Sequence, residues 1–174
     1  AELAFAVAKR EAIGRGLPAA FFREADVHLH IPAGAVQKDG PSAGAAMALA
    51  LLSACIGAPV RADLSVTGEI TLRGHILPVG GLKEKLLAAA REHFTELALP
   101  FENRGEAEGL PPEITAGLTI HYIKEFRELA ALALTGRGEE TDGEKDDNST
   151  PFGGRCLWEK AADCEEGEGE EEGD

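Results

Sequence analysis

Leu64-Ser-Val-Thr-Gly-Glu-Ile-Thr-Leu-Arg-Gly-His-Ile-Leu-Pro-Val-Gly-Gly-Leu-Lys-Glu-Lys-Leu-Leu-Ala-Ala-Ala-Arg-Glu-His-Phe-Thr-Glu-Leu-Ala-Leu99 changes its apolar period twice. Residues Leu64 to Pro78 read as short strands broken at Gly68 and Gly74. Leu82 to His93 then reads as an amphipathic helix with Leu82, Leu86, Leu87 and Ala90 on one side. Leu97 to Leu99 returns to strand. Working outward, Leu3, Phe5, Ala6, Val7, Ala8 and Ile13 make an opening helix that ends near Gly14 and Gly16. Asp26-Val-His-Leu-His-Ile31 alternates as a strand, with His28 and His30 on the face opposite Val27, Leu29 and Ile31. Pro32 to Pro41 is a loop, Ser42 to Ile56 a small-residue helix, and Pro59 to Asp63 a connector. Glu102 to Glu108 reads as a short helix, Leu118 to Ile123 as a strand and Glu125 to Leu134 as a closing helix. Strands alternating with helices predict a mixed α/β (α+β) domain of short sheets over residues 1–135.

The chain has 174 residues and a formal net charge of −14, unevenly spread. Residues 1–138 hold 16 acidic and 14 basic side chains, whereas 139–174 hold 15 and 3. A nearly neutral body with an acidic tail argues against nucleic acid as the main partner, because phosphate binding needs clustered Lys and Arg. Residues 136–174 are dominated by Gly, Glu, Asp and Ser and cannot bury enough apolar surface to offset ordering entropy, so a disordered acidic tail is expected. Within it Phe152, Leu157 and Trp158 form an apolar island, either an exposed accident of composition or a docking motif. No uninterrupted apolar run reaches the ~18–20 residues of a membrane span. Three widely spaced cysteines (Cys55, Cys156, Cys164) fit a reducing compartment without a disulfide framework. The start at Ala1, inside a helix pattern, leads us to expect a fragment of a longer protein.

Lys38-Asp-Gly-Pro-Ser-Ala-Gly44 is the sharpest chemical feature. Ser42 stands where a Gly/Pro loop enters a helix. Such a serine is either an N-cap or a nucleophile whose oxyanion is held by free helix-start N–H groups. Gly40-Pro-Ser-Ala-Gly44 also matches the G-x-S-x-G elbow of α/β-hydrolases. However, the approach Ala35-Val-Gln-Lys-Asp39 is mostly polar rather than a hydrophobic strand, and His75, His93 and His121 show no evident acid partner in the required order. A lysine serves as base when neutral, and at an ordinary pKa of ~10.4 it is not, so burial and a helix start are needed. Lys83 and Lys85, at the start of the Leu82 helix, are the candidates, with solvated surface lysines as the alternative.

Pro32-x-Gly34-Ala-x-x-Lys-Asp-Gly-Pro-Ser-Ala-Gly44, Pro59-Val-Arg-x-Asp63, Thr67-Gly-Glu-Ile-Thr-Leu-Arg-Gly74, Leu77-Pro-Val-Gly-Gly-Leu-Lys-Glu-Lys-Leu86 and Leu99-Pro-x-Glu-Asn103 together resemble the proteolytic domain of the Lon ATP-dependent proteases, in the family's order over about residues 1–134. The resemblance implies a Ser-Lys dyad endopeptidase with Ser42 as nucleophile and Lys85 as base, leaving Lys83 on the surface. It further implies that Thr67 hydrogen-bonds the lysine, that Asp39 swings in or out of the site, that Gly40 and Pro41 shape the loop, and that His28 and His30 lie near it. Unfolded or tagged protein substrates and a homo-hexamer follow from the same resemblance, while the dominance of Ala, Gly, Leu and Arg suggests a bacterial cytoplasmic setting, with the mitochondrial matrix or peroxisome as alternatives. No metal is expected, and ATP and Mg are expected only at an ATPase domain preceding this segment, since the chain holds no G-x-x-x-x-G-K-[S/T]. Gln37 departs from a frequent proline, and the family's early strands have no counterpart. Two rivals remain at this stage: a non-catalytic Lon-like domain serving assembly of an ATPase, and an α/β-hydrolase-type esterase.

Overall fold

The computed structural model describes residues 1–30 and 40–135. Seven helices and five strands lie within them: α1 (Glu2–Gly14), α2 (Phe21–Glu24), α3 (Gly44–Ile56), β1 (Leu64–Val66), β2 (Glu69–Ile70), β3 (Ile76–Leu77), α4 (Leu82–Arg91), β4 (Glu96–Pro100), α5 (Arg104–Glu108), α6 (Pro112–Thr115), β5 (Thr119–Ile123) and α7 (Phe126–Ala133). The strands form a parallel sheet of order β1-β4-β5 and an antiparallel β2-β3 pair. This is a mixed α/β architecture. The expected tail 136–174, with Phe152, Leu157, Trp158, Cys156 and Cys164, lies outside the described residues, as do Gln37 and most of the Pro32–Pro41 loop.

Register explains the layering. Val66 pairs with Ala98, and Ala98 with His121, so alternate residues of the central strand β4 face opposite sides. Ala98 joins Leu64 and Ile123 in one apolar cluster with α1, α3 and α7. Leu97 and Leu99 join the other, with Leu82, Leu86 and Ala89 of α4 and with Ala107 and Ile114. A central parallel strand covered on both faces reads as a short continuous apolar run, as Leu97-Ala-Leu99 does. At the last helix, the Glu128 carboxylate accepts the N–H of Lys124 at 2.8 Å and of Glu125 at 3.4 Å, satisfying donors that a helix start leaves free.

Three local expectations are corrected. Asp26–His30 is irregular and exposed rather than strand, with Val27 43% and Leu29 39% accessible. Alternation supplies a face but no ladder, and no described strand pairs with this segment. On α4 the buried positions are Leu82, Leu86 and Ala89, while Leu87 is 42% accessible and Ala90 is exposed. The spacings 0, 4 and 7 keep one helical face, and Leu87 lies well round from it. Ser42 is not an N-cap: Pro41–Ala43 is a 3-10 turn, no side chain caps it, and α3 begins at Gly44. The four-residue helices α2 and α6 are too short to show a helical period.

Candidate active site

The 3-10 turn that carries Ser42 is built from its own sequence. Gly40 enters it at φ 128°, a conformation open to glycine and rarely to other residues. Pro41 follows at the first helical positions, where its missing N–H costs nothing. The turn is then stitched to the chain leaving β1. The N–H of Gly68 donates to the Ser42 carbonyl at 2.9 Å, and the N–H of Ala45 donates back to the Gly68 carbonyl at 3.0 Å. The Thr67 hydroxyl also reaches the Ser42 carbonyl, at 3.4 Å, a long bond. Thr67 itself is anchored to the central strand by its N–H on the Ala98 carbonyl at 3.2 Å.

Gly68 makes this approach sterically possible. A Cβ there would sit 2.7 Å from Ile76 Cγ2 and 3.4 Å from Ala45 Cβ. Only a residue without a side chain lets the β1–β2 connection wedge between β3 and the start of α3. Ser42 and Thr67 thus meet at the carboxyl end of β1, half-buried.

Lys85 lies one turn into α4 on the helix's inward side, with Leu82 three residues before it and Ala89 four after, and is half-buried; Lys83 is fully on the exposed side. The loop that delivers α4 is held by Asn103. The Val79 N–H donates to Asn103 Oδ1 and Asn103 Nδ2 donates to the Val79 carbonyl, each at 2.9 Å. Asn103 closes a 3-10 turn, Phe101–Asn103, that follows the last residue of β4. So the starts of α3 and α4, on opposite faces of the sheet, are both tied to its carboxyl end. In parallel sheets that end is where helix N-termini and strand ends converge on ligands.

The structure therefore brings Ser42, Thr67, Gly40 and Pro41 together directly. Lys85 stands on α4, whose leading loop is held at Val79 by Asn103, and no hydrogen bond joins Lys85 to Ser42 or Thr67. His28 and His30 are exposed on the irregular segment, and Asp39 lies outside the described residues. Gly68, read from the sequence only as a strand break, and Asn103 are the positions sequence reasoning gave no role at the site. A glycine inside a strand-like run was the available signal for the first; the second had none beyond its place in Pro100-Phe-Glu-Asn103.

At the other end of the strands a charged network has formed. Arg61 grips Asp63 at 2.7 and 3.1 Å and Glu96 at 2.5 Å, and the second Glu96 oxygen meets His121 Nε2 at 2.7 Å. Hydrogen bonds from Arg61 hold the Asp63 and Glu96 carboxyls below their usual range, with His121 adding to the effect on Glu96. His121 thus does have an acid partner, contrary to the sequence reading. It stands two strands across from β1, roughly 9–10 Å by strand spacing, with its ring nitrogen committed to Glu96. Burial pushes the Cys55 thiol up, which keeps it out of thiolate chemistry. Among the described residues no cluster of three or more His, Cys, Asp or Glu is placed to hold a metal ion, and no helix is long and apolar enough to cross a membrane.

Residues 1–136 match the Lon protease (S16) C-terminal proteolytic domain. The chain belongs to the Lon protease family. It is 49% identical to the Lon protease of Escherichia coli (strain K12) over 133 residues, which are 76% of this chain and 17% of that protein. Similar likeness extends to Lon protease 1 of Thermus thermophilus, 51% over 117 residues covering 67% and 15%. For the Lon protease of Aquifex aeolicus the identity is 47% over 135 residues, covering 77% and 17%. The chain spans about one-sixth of the length of these bacterial relatives. Membership of this serine peptidase family sets aside the α/β-hydrolase reading, which the polar approach to Ser42 had already weakened.

Proposed function

We propose that this chain carries the peptide-bond hydrolysis of a Lon protease through a Ser42-Lys85 dyad. The amine of Lys85 takes the proton of Ser42 Oγ as that oxygen attacks a peptide carbonyl. N–H groups at the 3-10 turn hold the oxyanion, an acyl-enzyme forms as the amine leaves, and water then releases the acid. Thr67, whose hydroxyl retains lone pairs, orients the lysine; Gly40 and Pro41 shape the loop; Asp39, His28 and His30 are assigned to the site by the family resemblance alone. Substrates are unfolded, misfolded or regulatory protein segments, bound extended against a strand edge. The complete protein is an ATP-dependent endopeptidase working as a homo-hexamer in a bacterial cytoplasm. This chain has no phosphate-cradling G-x-x-x-x-G-K-[S/T], so its residues do not fit ATP in that manner and no step above runs through it.

The observation that carries the reading is the tethering of two helix starts, one bearing Ser42 and one leading to the half-buried Lys85, to one end of one sheet. The test is covalent labelling of the full chain with a serine-reactive fluorophosphonate, alongside Ser42→Ala and Lys85→Ala. Labelling lost in both variants supports the dyad. Labelling that persists in Lys85→Ala refutes it and favours either another base or the non-catalytic role in ATPase assembly.

A further inference from the structure

Asn103 is the one buried polar side chain among the described residues, 4% accessible. A buried amide is costly unless its groups are satisfied, and here they are. Its oxygen accepts the Val79 N–H, its nitrogen donates to the Val79 carbonyl, and the same nitrogen reaches Glu106 Oε2 at 3.1 Å. The pattern copies the reciprocal exchange of a β-ladder with a side chain in place of a strand. A substitute is needed at that point. The β2–β3 ladder ends at Leu77, Pro78 has no N–H to offer, and Val79 is itself buried, at 8% accessible.

The position of the clamp gives it a second consequence. Val79 stands two residues before Gly81, which caps α4, and six before Lys85. Asn103 stands three residues beyond Pro100, the end of the strand whose Ala98 carbonyl anchors Thr67. Both halves of the proposed dyad are thus referred to the same strand end, Ser42 through Thr67 and Gly68, Lys85 through Asn103. A helix side chain reaches about 5–6 Å from its axis, so a 10° rotation of α4 carries its tip about 1 Å. Misplacement on that scale costs up to about 100-fold in rate even when the substituted residue is remote from the chemistry.

We infer that Asn103 is a positioning residue for hydrolysis, setting the direction and phase of α4 and thereby the reach of Lys85 to Ser42; this rests on the dyad proposed above. Asn103 touches no reacting atom. Its loss leaves substrate binding intact and slows acylation.

The experiment uses the full chain with Asn103→Ala, Glu106→Ala and Lys85→Ala, each assayed below its own unfolding temperature. Hydrolysis of a short fluorogenic peptide gives kcat and KM, and fluorophosphonate labelling gives the acylation rate of Ser42. In Asn103→Ala, kcat and labelling are expected to fall about 10- to 100-fold with KM changed less than about twofold. Glu106 is exposed, so Glu106→Ala keeps the fold while freeing one hydrogen of the clamp, and a fall of a few-fold in kcat in the same direction is expected. A folded Asn103→Ala with kcat within about twofold of the parent, or one that raises KM alone, overturns the inference. Should Asn103→Ala fail to fold, an unchanged kcat in Glu106→Ala overturns it instead. Lys85→Ala separates the two levels: if that variant still hydrolyses peptide the dyad itself fails, whereas a dead Lys85→Ala beside a fully active Asn103→Ala removes only the role of Asn103.

Discussion

Replacing Gly68 by alanine tests the steric joint on which the Ser42 turn depends. The new methyl carbon would lie 2.7 Å from Ile76 Cγ2 and 3.4 Å from Ala45 Cβ. Carbon pairs rest at about 3.5–4.0 Å, so the first contact is about 1 Å too short. Neither neighbour yields easily, since Ile76 is 3% and Ala45 0% accessible. Overpacking of a closed core costs about 1–3 kcal/mol, and the lower backbone entropy of alanine in the unfolded chain returns about 0.4–1. A net loss of about 1–2 kcal/mol is expected, read by chemical denaturation as a lower midpoint at unchanged slope. Ile76→Ala removes the offending Cγ2 and by itself costs about 2–5 kcal/mol. In the double variant the alanine methyl has the space, so the two losses are expected to be less than additive by about 1 kcal/mol or more. Strict additivity refutes the claim that the Gly68–Ile76 approach is what excludes a side chain. Peptide hydrolysis is expected to track the same cycle, falling in Gly68→Ala and partly recovering in the pair, because the Gly68 N–H holds the Ser42 carbonyl.

Other outcomes follow from the same geometry. Leu86 is 0% and Leu87 42% accessible, so Leu86→Ala is expected to cost about 2–5 kcal/mol by denaturation and Leu87→Ala well under half of that. Gly40→Ala meets nothing within 4 Å but must hold φ 128°, so about 1–3 kcal/mol of backbone strain is expected at the Ser42 turn, seen as slower serine labelling more than as a lost fold. Asp63 and Glu96 have folded pKa values lowered first by hydrogen bonds from Arg61. Their contribution is therefore present above their ordinary values of about 4 and is lost as pH falls through the lower folded ones. Glu96→Gln is expected to flatten the fall of Tm on acidification below about pH 4; an unchanged slope refutes the assignment.

What the sequence made legible depended on how locally each feature is determined. Leu97-Ala-Leu99, three apolar side chains in a row between Glu96 and Pro100, was legible as a short strand, and the structure covers it on both faces. The Leu82 helix was legible by period, yet the placement of Leu87 and Ala90 was not. Leu82 and Leu86 define a stripe that extends to Ala89 or Ala90, and which is chosen depends on packing against Ala107 and Ile114, contacts that no window along α4 contains. Asp26–Ile31 had the alternation of a strand and no described partner, and a strand is a relation between two segments. The candidate nucleophile and candidate bases could be named from the sequence because such chemistry is carried by side-chain type, and the family resemblance pointed to Lys85 among the lysines.

The supports of those residues were not legible, and the reason is the topology. α3 packs on one face of the sheet and α4 on the other, in separate apolar clusters. A sheet between them blocks direct contact, so a serine at the head of one and a lysine on the other can act together only past the strand ends. That requirement falls on β4, the one strand paired on both sides among the described residues. Ala98 anchors the turn that holds Ser42, and Asn103, just beyond Pro100, anchors the loop that leads to Lys85. The bonds concerned join Thr67 to Ala98 and Val79 to Asn103, 31 and 24 positions apart, beyond any local pattern. The same arrangement explains why Gly68 admits no side chain and why a buried asparagine with its amide groups paired is tolerated. Both sit at the joint between the two apolar clusters on opposite faces of the sheet, and neither position is free to serve the apolar core alone.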